Sequence, residues 1–399
     1  MPLLFSVFPK REKNTGLVFA MTGAEGLSGG IAKANLNVLH ALVKFCKAQG
    51  LRFVVLSLLE KECHRPLFLK EEVVFKSFDG NKWAFTKSLL STISCNSVIC
   101  FDHVGLALPL LPLAFTGLIK TVIFAHGSES WKRLRMMNSW SFRCASMVFT
   151  NSDYTLAKMR QRIARFKGRA CPLGLSPDFP MNEVIPHPSG DSISLEAVDG
   201  KIYPMGQKFL LLVGRMITPR KGSEEGQKGH RFLMNILPRL LEEFSDVKLV
   251  FPGTGDDVAH LKQLARSKNV ASSVFFPGQV SLEMLGKFYQ HCYAYVMPSL
   301  QEGFGLAYLE AMNYGKACVG CFDQGAEDII IHGKTGFLIK NPNDSNELLE
   351  SLRHLLKDSN LADTFGKNGF KRLHENFTTG HYQNRIKEAL DLVWENMFH

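Results

Sequence analysis

Short apolar runs rich in Val, Ile and Phe alternate with amphipathic stretches along the whole chain, as in parallel sheets built from strand–helix–strand units. In the first half the runs predict strands at 17–21, 52–57, 97–101, 121–125 and 147–150. Helices are expected over 31–48, 82–94, 104–117, 131–143 and 154–165. From 171 to 206 the periodicity disappears while Pro, Gly, Ser and Asp accumulate, which marks a place where few contacts cross. The alternation then resumes with strands at 209–213, 248–251, 273–276, 294–297 and 317–321, separated by helices over 231–244, 257–266, 282–290 and 306–314. Three further helices close the chain at 345–357, 361–375 and 381–397.

The pattern predicts an α/β chain of two doubly wound domains. The expected boundaries are 1–180 for the first domain, 181–206 for a linker, 207–378 for the second domain and 379–399 for a last helix able to pack back on the first. A length of 399 residues, with 45% hydrophobic and 21% charged residues, agrees with two ordinary globular cores. In open sheets of this kind ligands bind beyond the carboxyl ends of the strands. Two such domains facing one another would form a cleft, and chemistry is expected in the strand-to-helix loops.

Charge adds an asymmetry to this picture. The net charge is +10, and between Trp131 and Ala170 basic residues such as Arg135, Arg143, Lys158, Arg160 and Arg162 stand against Asp153 alone. A cytoplasmic protein is expected, because no apolar run reaches about 18 residues and the first residues lack the order of a secretory leader. The basic first half would attract an anionic membrane surface at about 1 kcal/mol per basic residue. Nucleic acid is not expected as a partner, since the cluster lacks interleaved aromatics and no nucleic-acid-binding signature accompanies it. The nine cysteines are scattered and read as small core residues; only Cys318 and Cys321 have redox spacing, and they fall in a predicted strand.

Three loops carry candidate chemistry. Pro298 to Glu310 runs from a strand end through Gly303-Phe304-Gly305 into a helix that begins near Leu306. Glycines there let a backbone approach a ligand and turn free amides toward it, and a helix N-terminus favours phosphate. Glu302 and Glu310, eight apart, would share a helical face. Second, Val213-Gly214-Arg215 ends a strand and Lys228-Gly229-His230 precedes a helix; an Arg fork and a Lys point charge brought together suit a diphosphate. Lys221 competes with Lys228, which is preferred because a helix starts directly after it. Third, Ala125-His126-Gly127-Ser128-Glu129 follows a strand, and the first strand-to-helix loop is glycine-rich through Gly29 and Gly30. That loop does not fit G-x-G-x-x-G, which disfavours a nicotinamide enzyme, and the Gly-Lys-Thr at Gly333 lacks the earlier glycine of a P-loop.

With these residues the chain resembles the retaining glycosyltransferases of family 4, the group 1 enzymes that build bacterial glycans and lipopolysaccharide. The resemblance implies the GT-B fold, two Rossmann-like domains. It also implies transfer of a sugar from a UDP- or GDP-sugar to a glycan or lipid-linked acceptor with retained anomeric configuration. The family's E-x7-E element corresponds to Glu302 through Glu310, followed by Ala311 to Gly320, Gly325-Ala-Glu-Asp and Gly333 to Leu338. By this resemblance Glu302 contacts the donor sugar, the Gly303, Phe304, Gly305 and Leu306 amides hold sugar hydroxyls and phosphate, and Glu310 holds the ribose. Arg215 and Lys228 meet the diphosphate, His126 lies by the donor sugar and acceptor, and Glu129 with the Gly29–Gly30 loop serves the acceptor or a phosphate. No bound metal and no cofactor are implied. A sugar-nucleotide epimerase of the same fold and a non-catalytic sugar-nucleotide-binding protein are the rival readings.

Overall fold

A strand buried on both faces must be apolar at every position rather than at alternate ones, and the first strand, with sequence GLVFAM, is buried at all six residues. It is an inner strand of a seven-stranded sheet in a computed structural model. The structure describes residues 16–24, 29–61, 65–70, 72–94, 97–127, 130, 134–186, 193–205, 209–219, 226–341 and 344–398. Two units make up the chain, Met1–Asp178 with Thr379–His399 and Phe179–Thr378.

Unit 1 contains β1 (Gly16–Met21), β2 (Arg52–Ser57), β3 (Val74–Ser77), β4 (Ser97–Phe101), β5 (Lys120–Ala125), β6 (Met147–Thr150) and β7 (Gly168–Ala170). They pair in parallel in the order β3-β2-β1-β4-β5-β6-β7, with Gly16 opposite both Arg52 and Ser97. Its helices are α1 (Gly30–Gln49), α2 (Lys82–Thr92), α3 (Val104–Ala107), α4 (Leu111–Phe115), α5 (Met136–Cys144) and α6 (Asp153–Arg162). One sheet face is covered by α2, α3, α5 and α6, whose Phe85, Leu89, Val104, Phe142 and Met159 pack on Val18, Ile99, Ile123 and Val148. The single helix expected over 104–117 is broken into α3, a 3-10 turn at Leu108–Leu110 and α4. Pro109 and Pro112 cause the break, because each lacks the N–H that a continuous helix needs.

Unit 2 begins with an antiparallel hairpin, β8 (Ser194–Glu196) and β9 (Ile202–Pro204). Then come β10 (Phe209–Leu211), α7 (His230–Glu243), β11 (Lys248–Pro252), α8 (Val258–Ser267), β12 (Val274–Gly278), α9 (Leu282–His291) and β13 (Ala294–Val296). The unit finishes with α10 (Leu306–Asn313), β14 (Ala317–Cys321), α11 (Ala326–Ile329), β15 (Gly336–Ile339), α12 (Ser345–Lys357) and α13 (Ser359–Asn376). Strands β10 to β15 form a parallel sheet in the order β12-β11-β10-β13-β14-β15, which repeats the 3-2-1-4-5-6 winding of the first six strands of unit 1. Within the stretch expected as a linker, the hairpin docks on this sheet through an Ala197–Phe275 bridge and a Val198 N–H that donates to the Val274 carbonyl at 3.1 Å. Gly200, at φ 83°, makes the hairpin's turn, its N–H donating to Ala197 O at 3.0 Å.

The last helix, α14 (Thr379–Phe398), is part of unit 1 and lies along α1. Trp394 meets Phe45 edge to face at 5.7 Å, Lys44 donates to Gln383 at 2.9 Å, and Tyr382, Ile386 and Leu390 are buried. Among the described residues no helix is long and apolar enough to cross a membrane. Seven cysteines are described and all are free thiols. Cys318 and Cys321 are both buried in β14, where loss of solvation lifts the first thiol well above its usual range and the second to about 12. Neither is a ready thiolate, and odd spacing on a strand sends the two side chains to opposite faces.

Candidate functional site

The strand order of each sheet reverses at its middle, between β1 and β4 in unit 1 and between β10 and β13 in unit 2, and loops leaving such a point diverge and leave room for a ligand. In unit 2 these loops carry the residues singled out by their sequence. The β10 ladder continues past its end through Gly214 N–H to Pro252 O at 3.1 Å and Met216 N–H to Thr254 O at 3.0 Å, so the backbone on both sides of Arg215 is pinned. The approach demands glycine opposite: a Cβ on Gly253 would sit 2.2 Å from Gly214 O, and one on Gly255 only 1.8 Å from Met216 O. Arg215 itself is exposed and makes no hydrogen bond or ion pair with a described residue.

The segment before α7 is fixed against the loop after β13. Gln227 O accepts from Ser299 Oγ at 2.7 Å and from Leu300 N–H at 3.0 Å. Gly229, at φ 90°, leaves no room for a side chain, because its Cβ would lie 2.5 Å from Pro298. The Lys228 stem runs beside Gly214 and its ammonium forms an ion pair with the Glu302 carboxylate; both groups are largely buried. Glu302 is further held by its backbone, the N–H donating to Gln324 Oε1 at 2.8 Å and the carbonyl accepting from Gly325 N–H at 2.9 Å. The structure therefore brings Gly214, Lys228 and Glu302 together on three loops.

Gly305, at φ 102°, caps α10, and a Cβ there would strike the Tyr308 ring at 2.5 Å. The N–H groups of Phe304, Gly305 and Leu306 donate to no described residue, which leaves them for an anionic or hydroxyl-bearing ligand. Because α10 starts only at Leu306, Glu302 stands on the loop and not on a helical face shared with Glu310, as the eight-residue spacing had suggested. Glu310 is 2% exposed and accepts a hydrogen bond from Tyr289 Oη at 2.7 Å. Beneath the loops lie Tyr295 and Tyr308, both buried, with the Tyr308 hydroxyl donating to Met297 O at 2.6 Å. Burial lifts the Tyr289, Tyr295 and Tyr308 hydroxyls well above their ordinary range. They act as neutral hydrogen-bond donors.

His230, the first residue of α7, is also buried, stacked edge-on against Phe251 at 5.1 Å. Burial first, then the neighbouring Lys228 and Arg231 charges, lowers its pKa from 6.5 to about 3. Asp256 and Asp257, which could suggest a metal, have other tasks: Asp256 accepts from Thr218 N–H at 2.9 Å, and Asp257 holds Arg231 at 2.6 and 2.8 Å. Among the described residues no cluster of His, Cys, Asp and Glu is arranged to hold a metal ion.

These loops belong to a stretch with known relatives. Residues 204–372 match the family model described as "Glycosyl transferases group 1". Through this segment the chain is similar to the group 1 glycosyl transferases. An uncharacterized glycosyltransferase of Methanocaldococcus jannaschii is 29% identical over 186 residues, 47% of this chain and 44% of that protein, so the match spans less than half of the relative's length. A GDP-mannose-dependent alpha-(1-6)-phosphatidylinositol monomannoside mannosyltransferase of Mycobacterium tuberculosis is 27% identical over 281 residues, 66% of this chain and 69% of that one. Among solved structures, Anabaena HepE, determined with UDP and glucose, superposes with a TM-score of 0.69 at 18% identity, covering 95% of this chain and 100% of HepE. That likeness concerns the fold, the two-domain GT-B type.

The unit 1 loops hold buried polar groups that the motifs did not reveal. Asp102, directly after β4 and 1% exposed, accepts through Oδ2 from the Thr22 N–H at 2.9 Å, the Thr22 hydroxyl and the Asn35 Nδ2 at 2.7 Å. Burial raises its pKa above the usual carboxylate range, against the opposing pull of these hydrogen bonds and of nearby His126. Glu60, equally buried, accepts from Ala24 N–H at 3.0 Å, and Asn35 also donates to Gly23 O at 2.7 Å. Two carboxylates and an amide thus clamp the start of the loop that leads to Gly29 and Gly30, both exposed at the N-terminus of α1. His126 follows β5 with its carbonyl accepting from Asn151 Nδ2 at 2.6 Å. Glu129 and Lys221 lie outside the described residues. Asp102, Glu60 and Gln324 sit singly in their sequence segments, and the one cue to them was position, each one to three residues beyond a strand end.

Proposed function

We propose that this chain transfers a sugar from a nucleotide-diphosphate sugar to an acceptor hydroxyl with retention of configuration. The observation that carries the reading is the convergence, at the switch point of the second sheet, of Lys228, Glu302 and the unbonded Phe304–Leu306 amides beside exposed Arg215. A diphosphate leaving group gathers negative charge as the sugar–phosphate bond breaks, and donors already aimed at that charge lower the barrier because they need no reorganisation. Arg215 and Lys228 meet the diphosphate, and the amides of Gly303 to Leu306 bind its oxygens and sugar hydroxyls. Glu302, tethered by Lys228 and Gln324, orients the donor sugar, and Glu310 serves the ribose.

The acceptor attacks on the face from which the diphosphate departs, and the departing phosphate oxygen takes the acceptor proton, so no residue forms a covalent intermediate. His126 is assigned to the sugar and acceptor, and the Gly29–Gly30 loop with Glu129 to the acceptor. UDP- and GDP-sugars are the donor class: HepE was solved with UDP, and the mycobacterial relative is named for GDP-mannose. The acceptor class is a glycan or a lipid-linked glycan, and no metal or cofactor enters the reaction. A thermal-shift screen of nucleotide sugars tests the donor, since a ligand at about 100 times its Kd adds about 2.7 kcal/mol. Proton NMR of the product reports the anomeric configuration. An inverted product refutes retention, and the absence of a shift with every UDP- and GDP-sugar refutes the donor class.

A further inference from the structure

The outer side of the helical layer of unit 1 has a composition at odds with a water-facing surface. Helix α4 has the sequence LPLAF, wholly apolar, yet none of its residues is buried. Its Leu113 and Ala114 reach the core only in part, while Pro112 and Phe115 face solvent. Phe115 at its end is 68% exposed and meets Trp140 of α5 edge to face at 6.2 Å. On the same α5, Met136 is 74% exposed and Met137 is open to solvent, as is Leu118 just beyond α4. Two adjoining elements thus present one contiguous apolar and aromatic patch, of the kind soluble surfaces avoid unless something covers it.

The charge around the patch says what covers it. Arg135 and Arg143 are exposed on either side, the Arg143 guanidinium lying 4.5 Å from the Trp140 ring centre. Helix α6, on the same sheet face, adds exposed Arg160 and Arg162. From Lys82 to Ala170 the acidic residues are Asp102, which is buried, Glu129 and Asp153. Trp, Phe and Met flanked by Arg with almost no carboxylate is the chemistry of the lipid headgroup boundary, where indole rings settle and guanidinium groups meet phosphate. We infer that the exposed face of α4 and α5 docks on an anionic lipid bilayer, with Phe115, Met136 and Trp140 entering the headgroup boundary and the arginines holding lipid phosphates. This localises the membrane surface that the basic first half suggested, and it stands apart from donor chemistry, because vesicle binding is measured without a nucleotide sugar.

The test is flotation of the full chain with phosphatidylcholine vesicles and with vesicles of equal parts phosphatidylcholine and phosphatidylglycerol. The expected result is binding to the mixed vesicles alone, weakened by salt. Met136→Asp combined with Trp140→Ser is expected to lower it about tenfold or more, with circular dichroism and donor thermal shift unchanged. Arg135→Ala with Arg143→Ala is expected to weaken binding and reduce its salt dependence. Equal flotation of wild type and the Met136/Trp140 variant, or no flotation of wild type, overturns the inference. So does a wild-type dimer in light scattering that the same variant converts to monomer, which would make a second copy the occupant.

Discussion

At the residue scale, Lys228 and Glu302 are a coupled pair and their substitutions differ in kind. Lys228→Ala removes a cation from the proposed diphosphate site and leaves a largely buried carboxylate without its partner, a loss of about 1–3 kcal/mol in stability. Arg215 is exposed and bonded to no described residue, so Arg215→Ala should leave the melting temperature unchanged. Both variants should slow turnover by roughly 10²–10³ fold; steady-state kinetics beside calorimetry separates the two effects. Unchanged turnover in both would sink the assignment. His230 gives a pH signature. Its pKa falls from 6.5 to about 3 on folding, so the folded state binds fewer protons than the unfolded one between those values. Its contribution to stability is whole above pH 6.5 and declines as the pH drops toward 3, by about 1.4 kcal/mol per unit. Asp102, raised by burial, acts with the opposite sign, losing its contribution as pH rises above 3.8. Urea midpoints of wild type and His230→Gln between pH 7 and pH 4 isolate the first effect: the variant should show the shallower fall.

At the element scale, the loops owe their shapes to glycines whose roles differ. Gly305→Ala places a methyl on a left-handed backbone and against Tyr308. It should move the α10 N-terminus, costing at least 1 kcal/mol and most of the donor-induced thermal shift. Gly333→Ala, also at positive φ but with open space around it, should cost stability and leave donor binding intact; equal loss in both variants would break the link to α10. The same elements show what the sequence could disclose. The runs at 52–57, 97–101, 147–150, 317–321 and 345–357 coincide with observed elements end to end, because a strand buried on both faces or a strongly amphipathic helix writes its period plainly. Strands β3, β7 and β15 escaped: VFKS and GRA, at the sheet edge, carry too few apolar residues, and GFLI sat inside a motif read for its glycines. The helix expected over 104–117 is interrupted before α4, because Pro109 and Pro112 cannot supply the N–H groups that a continuous helix needs. Gly303–Leu306, Arg215 and Lys228 stand out in the sequence as candidates because backbone geometry and charge are local. Asp102, Glu60 and Gln324 do not, because each acts on a loop distant in sequence.

At the scale of the whole molecule, the two parallel sheets are wound alike, a repetition that shared element spacing but no shared residues announced in advance. The final helix α14 is the departure from that symmetry. It follows unit 2 in sequence and completes unit 1, burying Tyr382, Ile386, Leu390 and Val393, and its Arg385 donates to Pro172 O at 2.8 Å. At about 1.5–3 kcal/mol for each large apolar side chain, this contact is comparable with the net stability of a domain. A chain ending at Thr378 should therefore lose cooperative melting of unit 1 and become open to proteolysis within 16–178, while residues 209–378 stay resistant. Resistance throughout would show that α14 is dispensable. The arrangement also sets a sequence of events during synthesis. A ribosome that has made all of unit 1's sheet still has some two hundred residues of unit 2 to translate before the covering helix for α1 exists. The first half of the polypeptide must wait with a bare flank while the second half is being assembled, and any premature stop yields a product that quality-control proteases can recognise by that flank alone.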